Sequence, residues 1–91
     1  MLISTRRFRK DVRRLQKSGR DLKKLQAAVD VLVAGAVLPA SYRDHALRGG
    51  FEGTRACHIA PNWLLRYGKN EGQLILLLIS TGDHRRVLGI E

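Results

Sequence analysis

Six consecutive aliphatic residues, Leu74–Ile79, constrain the fold of this chain more than any other feature. The run is far short of the ~20 apolar residues that a membrane helix needs. Side chains alternate across a strand, so a run that is apolar at every position is apolar on both faces. It predicts a central strand, Gln73–Ser80, covered on both sides, and the rest of the chain must supply the covers. A chain of 91 residues has room for one such core, because at this size only roughly 60–65% of the unfolded surface is buried. Residues 1–91 are therefore read as a single domain.

Covers are legible upstream. Met1–Ser4 reads as a short first strand, and Ser4 or Thr5 can cap the helix that follows. Phe8, Val12 and Leu15 recur at i, i+4 and i+7, one apolar stripe on a basic helix running to about Lys17. Ser18-Gly19 ends it. Asp21 opens a second helix, with its carboxylate at the positive end of the dipole. Leu22, Leu25, Val29 and Leu32 line the buried side, Ala34-Gly35 closes it, and so short a connection predicts an antiparallel hairpin. After a loop, Ala36–Ser41, interrupted by Pro39, the signals turn to strands at Thr54–Ile59 and Trp63–Tyr67. Pro61-Asn62 turns the first strand pair and Gly68–Gly72 the second. Asp83–Leu88 reads as a short helical turn or a last strand. The order β-α-α-β-β-β predicts an α+β domain, a helical hairpin across one face of a twisted antiparallel sheet.

Charge narrows the function. The formal net charge is +9, and residues 1–26 hold ten Lys and Arg against two Asp. Arg6, Arg9, Lys10, Arg13, Arg14, Lys17, Lys23 and Lys24 make a basic surface suited to nucleic acid or to an acidic partner. No apolar stretch follows Arg6–Lys10 as a secretory signal requires, so a cytoplasmic protein without a membrane partner is expected. The single cysteine, Cys57, excludes an internal disulfide framework.

Against this background the three histidines stand out. His45, His58 and His84 all lie in the C-terminal half, each beside a turn or strand end. Imidazole both gives and takes a proton near neutral pH, so three of them beside dense positive charge point to acid–base chemistry on a polyanion. A two-residue turn at Pro61-Asn62 aligns Ala60 with Trp63 and His58 with Leu65. That parity puts His58 and Trp63 on one face and Arg55, Cys57 and Arg66 on the other. A zinc site from the three histidines and Cys57 is disfavoured, since no pair has the close spacing of a zinc motif and Cys57 points away from His58. Trp63 beside Asn62 is placed to stack on an unpaired base.

Three separated motifs then carry a resemblance. Tyr42-Arg-Asp-His45-Ala-Leu-Arg-Gly, Gly53-Thr-Arg55-Ala-Cys-His58-Ile-Ala-Pro61-Asn62-Trp63-Leu-Leu-Arg-Tyr67 and Thr81-Gly82-Asp-His84 occur in this order. Together they resemble the YafQ branch of the RelE-type toxins of bacterial type II toxin–antitoxin pairs, over nearly the whole chain. The resemblance implies a small microbial-RNase-like α+β fold and a ribosome-dependent mRNA endonuclease that needs no metal or other cofactor. In such chemistry an RNA 2′-hydroxyl attacks the adjacent phosphate, leaving a 2′,3′-cyclic phosphate and a 5′-hydroxyl. A base, an acid and stabilisation of the phosphorane are required.

By resemblance His84 is the general acid, His45 and His58 share the base and phosphate-positioning roles, and Trp63 orients a base. Asn62, Ser80 and Leu88 are the other matched positions. Asn62 stands where the family commonly has Asp, and Ser80 where it has a phosphate-binding Arg, a role that Arg85 or Arg86 is expected to take over. The implied partners are the ribosome with its mRNA and an acidic antitoxin of the DinJ/RelB kind in a hetero-oligomer, with operator DNA bound only through the antitoxin. Two alternatives remain: a protein of this fold that inhibits by binding alone, and a small DNA-binding module over residues 5–34. The apolar character of Ala27–Ala34 argues against the second, because a recognition helix needs a polar base-reading face.

Overall fold

A computed structural model describes residues 1–70 and 72–89. Strands β1 (Leu2–Ser4), β2 (His45–Ala46), β3 (Arg55–Ala60), β4 (Trp63–Asn70) and β5 (Ile75–Gly82) form one sheet in the order β1-β5-β4-β3-β2. Helices α1 (Arg6–Lys17) and α2 (Leu22–Val33) follow β1, a 3-10 turn (Ala40–Tyr42) precedes β2, and α3 (His84–Leu88) follows β5. The predicted element order holds, with β2 as an addition.

Each helix starts where its cap dictates. The Thr5 hydroxyl accepts from the Phe8 amide at 3.0 Å and the Asp21 carboxylate from the Lys23 amide at 3.1 Å, filling otherwise unpaired first-turn donors. Gly19 closes α1 at φ +82°, a conformation that costs a side-chain-bearing residue about 1–2 kcal/mol. Phe8, Leu15, Leu25, Ala28, Val29 and Leu32 of the two helices pack with Cys57, Trp63, Leu65, Tyr67, Leu76 and Leu78 of the sheet. Ala56 and Leu64 belong to the other face and are also buried, as is Val87 of α3, which folds back against β4 and β5.

Three expectations change. The sheet is mixed rather than antiparallel: β1 runs parallel to β5, with Leu2, Ile3 and Ser4 opposite Leu76, Leu77 and Leu78. The middle strand is β4, and β5 lies between it and β1. Leu74 leaves the apolar run for the turn, at φ 53° and 77% exposed, while β5 continues through Thr81 and Gly82 opposite Leu65 and Leu64. Gly68 accordingly lies within β4; the rest of that predicted turn includes position 71, outside the described residues.

Asp11 explains how β5 extends so far. Its carboxylate, buried in α1, accepts from the Thr81 amide at 3.2 Å and from Arg14 at 3.0 Å. The Thr81 hydroxyl donates to the Leu64 carbonyl at 2.7 Å and accepts from the Trp63 indole at 2.9 Å. Replacing Asp11→Ala strands the Thr81 amide and an arginine beside it, and should lower unfolding stability by about 2–3 kcal/mol in urea titrations.

Candidate functional site

The three imidazoles converge. Ring centroids of His45 and His58 lie 6.5 Å apart and those of His58 and His84 5.5 Å apart. Three separate elements deliver them. His45 opens β2 opposite Ala56, His58 lies in β3, and His84 begins α3 just past the end of β5. Gly82, with φ +149°, makes the exit from β5 possible, since a Cβ there would meet Arg14 Nη2 at 3.2 Å.

The predicted parity fails at one point. A β-bulge between His58 and Ala60 keeps Ala60 opposite Trp63 but shifts His58 opposite Leu64, with Cys57 opposite Leu65. The extra residue flips everything before the bulge to the other face. His58 and Arg66 therefore share a face, and Trp63 lies on the opposite one with Cys57 and Arg55. Trp63 offers no surface to a base: it is 1% exposed, its indole is bonded to Thr81, and Arg20 lies 5.5 Å over its ring. It is a core residue that holds the end of β5. Cys57 is fully buried on that core face, and burial followed by the Asp44 charge pushes its thiol up to about 12, so it offers the imidazoles no thiolate.

Hydrogen bonds set the tautomer of two rings. The Arg43 carbonyl can only accept, so the 2.7 Å contact makes His45 Nδ1 the donor and leaves Nε2 for chemistry. Arg43 bends the backbone to allow this, at φ 50°, a conformation that non-glycine residues keep only when held there. His84 Nδ1 donates to Asn62 Oδ1 at 3.1 Å, so the asparagine orients the ring as a carboxylate would, without its charge. His58 differs. Its Nδ1 is buried without a partner, and its pKa is lowered, first by burial and then by His84, Arg43 and His45. The Tyr42 backbone pulls weakly the other way. Its surroundings thus favour the neutral ring, the form that can accept a proton.

Two depressions flank the rings. One of roughly 710 Å³ runs from His58 and Pro61 past Tyr42 and Arg43 to Lys23 and Lys24 of α2. The other is lined by Asn62, Asp83, His84 and Arg85. Arg86 is exposed, its amide bonded to Asp83 and its carbonyl to the Arg7 guanidinium. Leu88 ends α3 one helical turn beyond His84, on the same side of the helix. Ser80 is fully buried, with a hydroxyl that has no partner.

Of the basic surface, Arg6, Arg9, Lys10, Arg13, Lys17, Lys23 and Lys24 are exposed. Arg14 is not free: Asp11 draws it in and buries Nη2. Sequence reasoning also missed Asp44. It accepts from Tyr67 at 2.5 Å and from Arg55 at 3.3 Å, and so anchors the segment that carries His45. Its place beside His45 in the sequence was the available signal.

Residues 2–89 match the family described as bacterial toxin of type II toxin-antitoxin system, YafQ. The mRNA interferase toxin YafQ of Escherichia coli K12 is 35% identical over 83 residues, 90% of this chain and 88% of that protein. The crystal structure of YafQ from E. coli BL21(DE3) superposes with a TM-score of 0.92 at 31% identity, covering 98% of both chains. A chain of the crystalline E. coli DinJ–YafQ complex gives a TM-score of 0.90 at 32% identity, again over 98% of each chain.

The depressed His58 pKa has a definite sign. The unfolded state takes up this proton more readily, so the contribution to stability is present above pH 6.5 and is lost as pH falls below it. Replacing Arg43→Ala removes one of the charges that oppose protonation. NMR titration of the imidazole C–H signals should then show the His58 pKa rising toward its ordinary value, with a smaller loss of stability in acid.

Proposed function

The chain belongs to the YafQ family of toxins from bacterial type II toxin–antitoxin systems, and from that premise we propose that it is a ribosome-dependent mRNA endonuclease. The observation that carries the reading is the gathering of His45, His58 and His84 around one spot, with ring separations of 6.5 and 5.5 Å. Cleavage of RNA through its own 2′-hydroxyl needs a base and an acid on opposite sides of one phosphate, and two imidazoles at that spacing fit.

His58, held neutral, takes the proton from the 2′-hydroxyl as that oxygen bonds to phosphorus. The bond from phosphorus to the 5′-oxygen breaks, and His84 supplies a proton from Nε2 to the leaving oxygen. Asn62 keeps His84 Nδ1 protonated and its ring aimed throughout. His45 turns Nε2 toward the same phosphate and, when protonated, donates to it. The products are a 2′,3′-cyclic phosphate and a 5′-hydroxyl.

Exposed cations on α1 and α2 give the protein its grip on ribosomal RNA phosphates, and Lys23 and Lys24 extend that surface to the cleft beside His58. The same cations suit a cognate acidic antitoxin in a hetero-oligomer, as in the E. coli DinJ–YafQ complex. Operator DNA is then bound through the antitoxin.

Induction in a bacterium tests the reading. Wild type should arrest growth and cut transcripts in frame with the codons, and His84→Ala should lose about 10²–10⁴ in cleavage rate. Growth arrest without cuts would leave inhibition by binding alone. Asn62→Asp sets a carboxylate against His84 Nδ1 and should move the alkaline limb of the pH–rate profile to higher pH.

A further inference from the structure

The bulge that brings Arg66 to the imidazole side of the sheet leaves it without a role in the mechanism above. Register aligns His45, Ala56, Arg66 and Ser80 in one row across four strands, with His58, Leu64 and Gly82 in the next. Neighbouring strands lie about 4.8 Å apart, so the Arg66 backbone stands two strands from His45 and one row from His58, with its side chain on their face of the sheet.

Its surroundings are those of a cation awaiting an anion. The guanidinium carbon lies over the Phe51 ring, 4.6 Å from the centroid, and Nε donates to Thr54 Oγ1 at 3.2 Å. Arg14 and Arg55, similarly half-buried, each hold an aspartate. Among the described residues Arg66 pairs with no carboxylate. Burial, and then the like charge of Arg7, both oppose its protonation. Keeping a partly desolvated charge unpaired beside another cation is costly, and a phosphate would offset that cost. The contact with Phe51 and the bond to Thr54 occupy one ring face and Nε, and among the described residues no bond from either Nη amine is seen.

We propose that Arg66 is the phosphate-binding residue of the histidine site, gripping the RNA at the cleaved linkage with its two Nη amines. None of the three imidazoles is a permanent charge, and a guanidinium is one at every working pH. The phosphorane carries more negative charge than the starting phosphate, so the contact strengthens as the reaction proceeds. This assignment rests on the endoribonuclease reading above.

The test uses the full chain as wild type, Arg66→Gln, Arg66→Lys and His84→Ala. Gln keeps most of the stem and a donor for Thr54, and Lys keeps the charge without the fork. Single-turnover cleavage is measured on mRNA-programmed ribosomes. Binding is measured against salt, with an mRNA oligonucleotide carrying 2′-deoxyribose at the cut position. Arg66→Gln should lose about ten- to a hundredfold in rate, and its plot of log affinity against log salt should flatten by about one. Arg66→Lys should keep the slope and recover only part of the rate. A rate loss with an unchanged slope would mark a structural role and overturn the proposal. So would wild-type rate and slope in Arg66→Gln while His84→Ala is inactive, and the endoribonuclease reading would then stand. If wild type makes no cut, that reading has failed, and the salt slope alone decides whether Arg66 holds phosphate.

Discussion

One buried carboxylate holds the arrangement on which the site depends. Asp11 reaches out of α1 to the backbone of Thr81, and Thr81 in turn ties Trp63 and Leu64 of the neighbouring strand. A charge taken out of water costs several kcal/mol unless its lone pairs are filled, and here Arg14 and the Thr81 amide fill them. The three elements are thereby fastened at the point where the chain leaves β5 for α3. His84 follows Thr81 by three residues. Since displacements of about 1 Å cost about a hundredfold in a reacting geometry, the position of this proton donor is set in part by a residue far away in the chain.

Much of this was legible in the sequence and some was not, for physical reasons. The helices were readable because both their apolar spacing and their caps are local. Phe8 and Leu15 face the core, and Thr5 and Asp21 start the two helices. The histidines were readable as candidates because residue type carries chemistry wherever it occurs. Facing was not readable, because the bulge at Ile59 leaves no mark in the residues that form it, yet one inserted position reverses which side chains share a surface. That reversal leaves Trp63 on the core face and puts Arg66 on the face that carries His58. The parallel pairing of β1 and the contact of Asp11 with Thr81 join residues distant in sequence, where periodicity has nothing to say.

The acids complete the electrostatic picture. Asp21 and Asp83 cap helices, Asp11 and Asp44 bind buried or half-buried partners, Asp30 takes Gln26, and Glu52 takes the Gly50 amide. Each of these carboxylates is engaged by its own fold. The cations are distributed otherwise, with most of those on α1 and α2 in solvent. Asp44 and Asp83 flank His45 and His84 with their oxygens engaged by Tyr67, Arg55 and Arg86, and the net charge of +9 draws a polyanion to the molecule as a whole.

The pairing of Leu2–Ser4 with Leu76–Leu78 bears on when this protein becomes active. A nascent chain has the first of these segments early and must wait for the second, which lies 74 residues further on (Leu2 against Leu76). Until then α1 has no β5 to lie on, Asp11 has no Thr81, and His84, which follows β5, is not yet made. High contact order makes such closure slow as well as late. A toxin of this family thus gains its histidine site only after the strand that closes the sheet has been made.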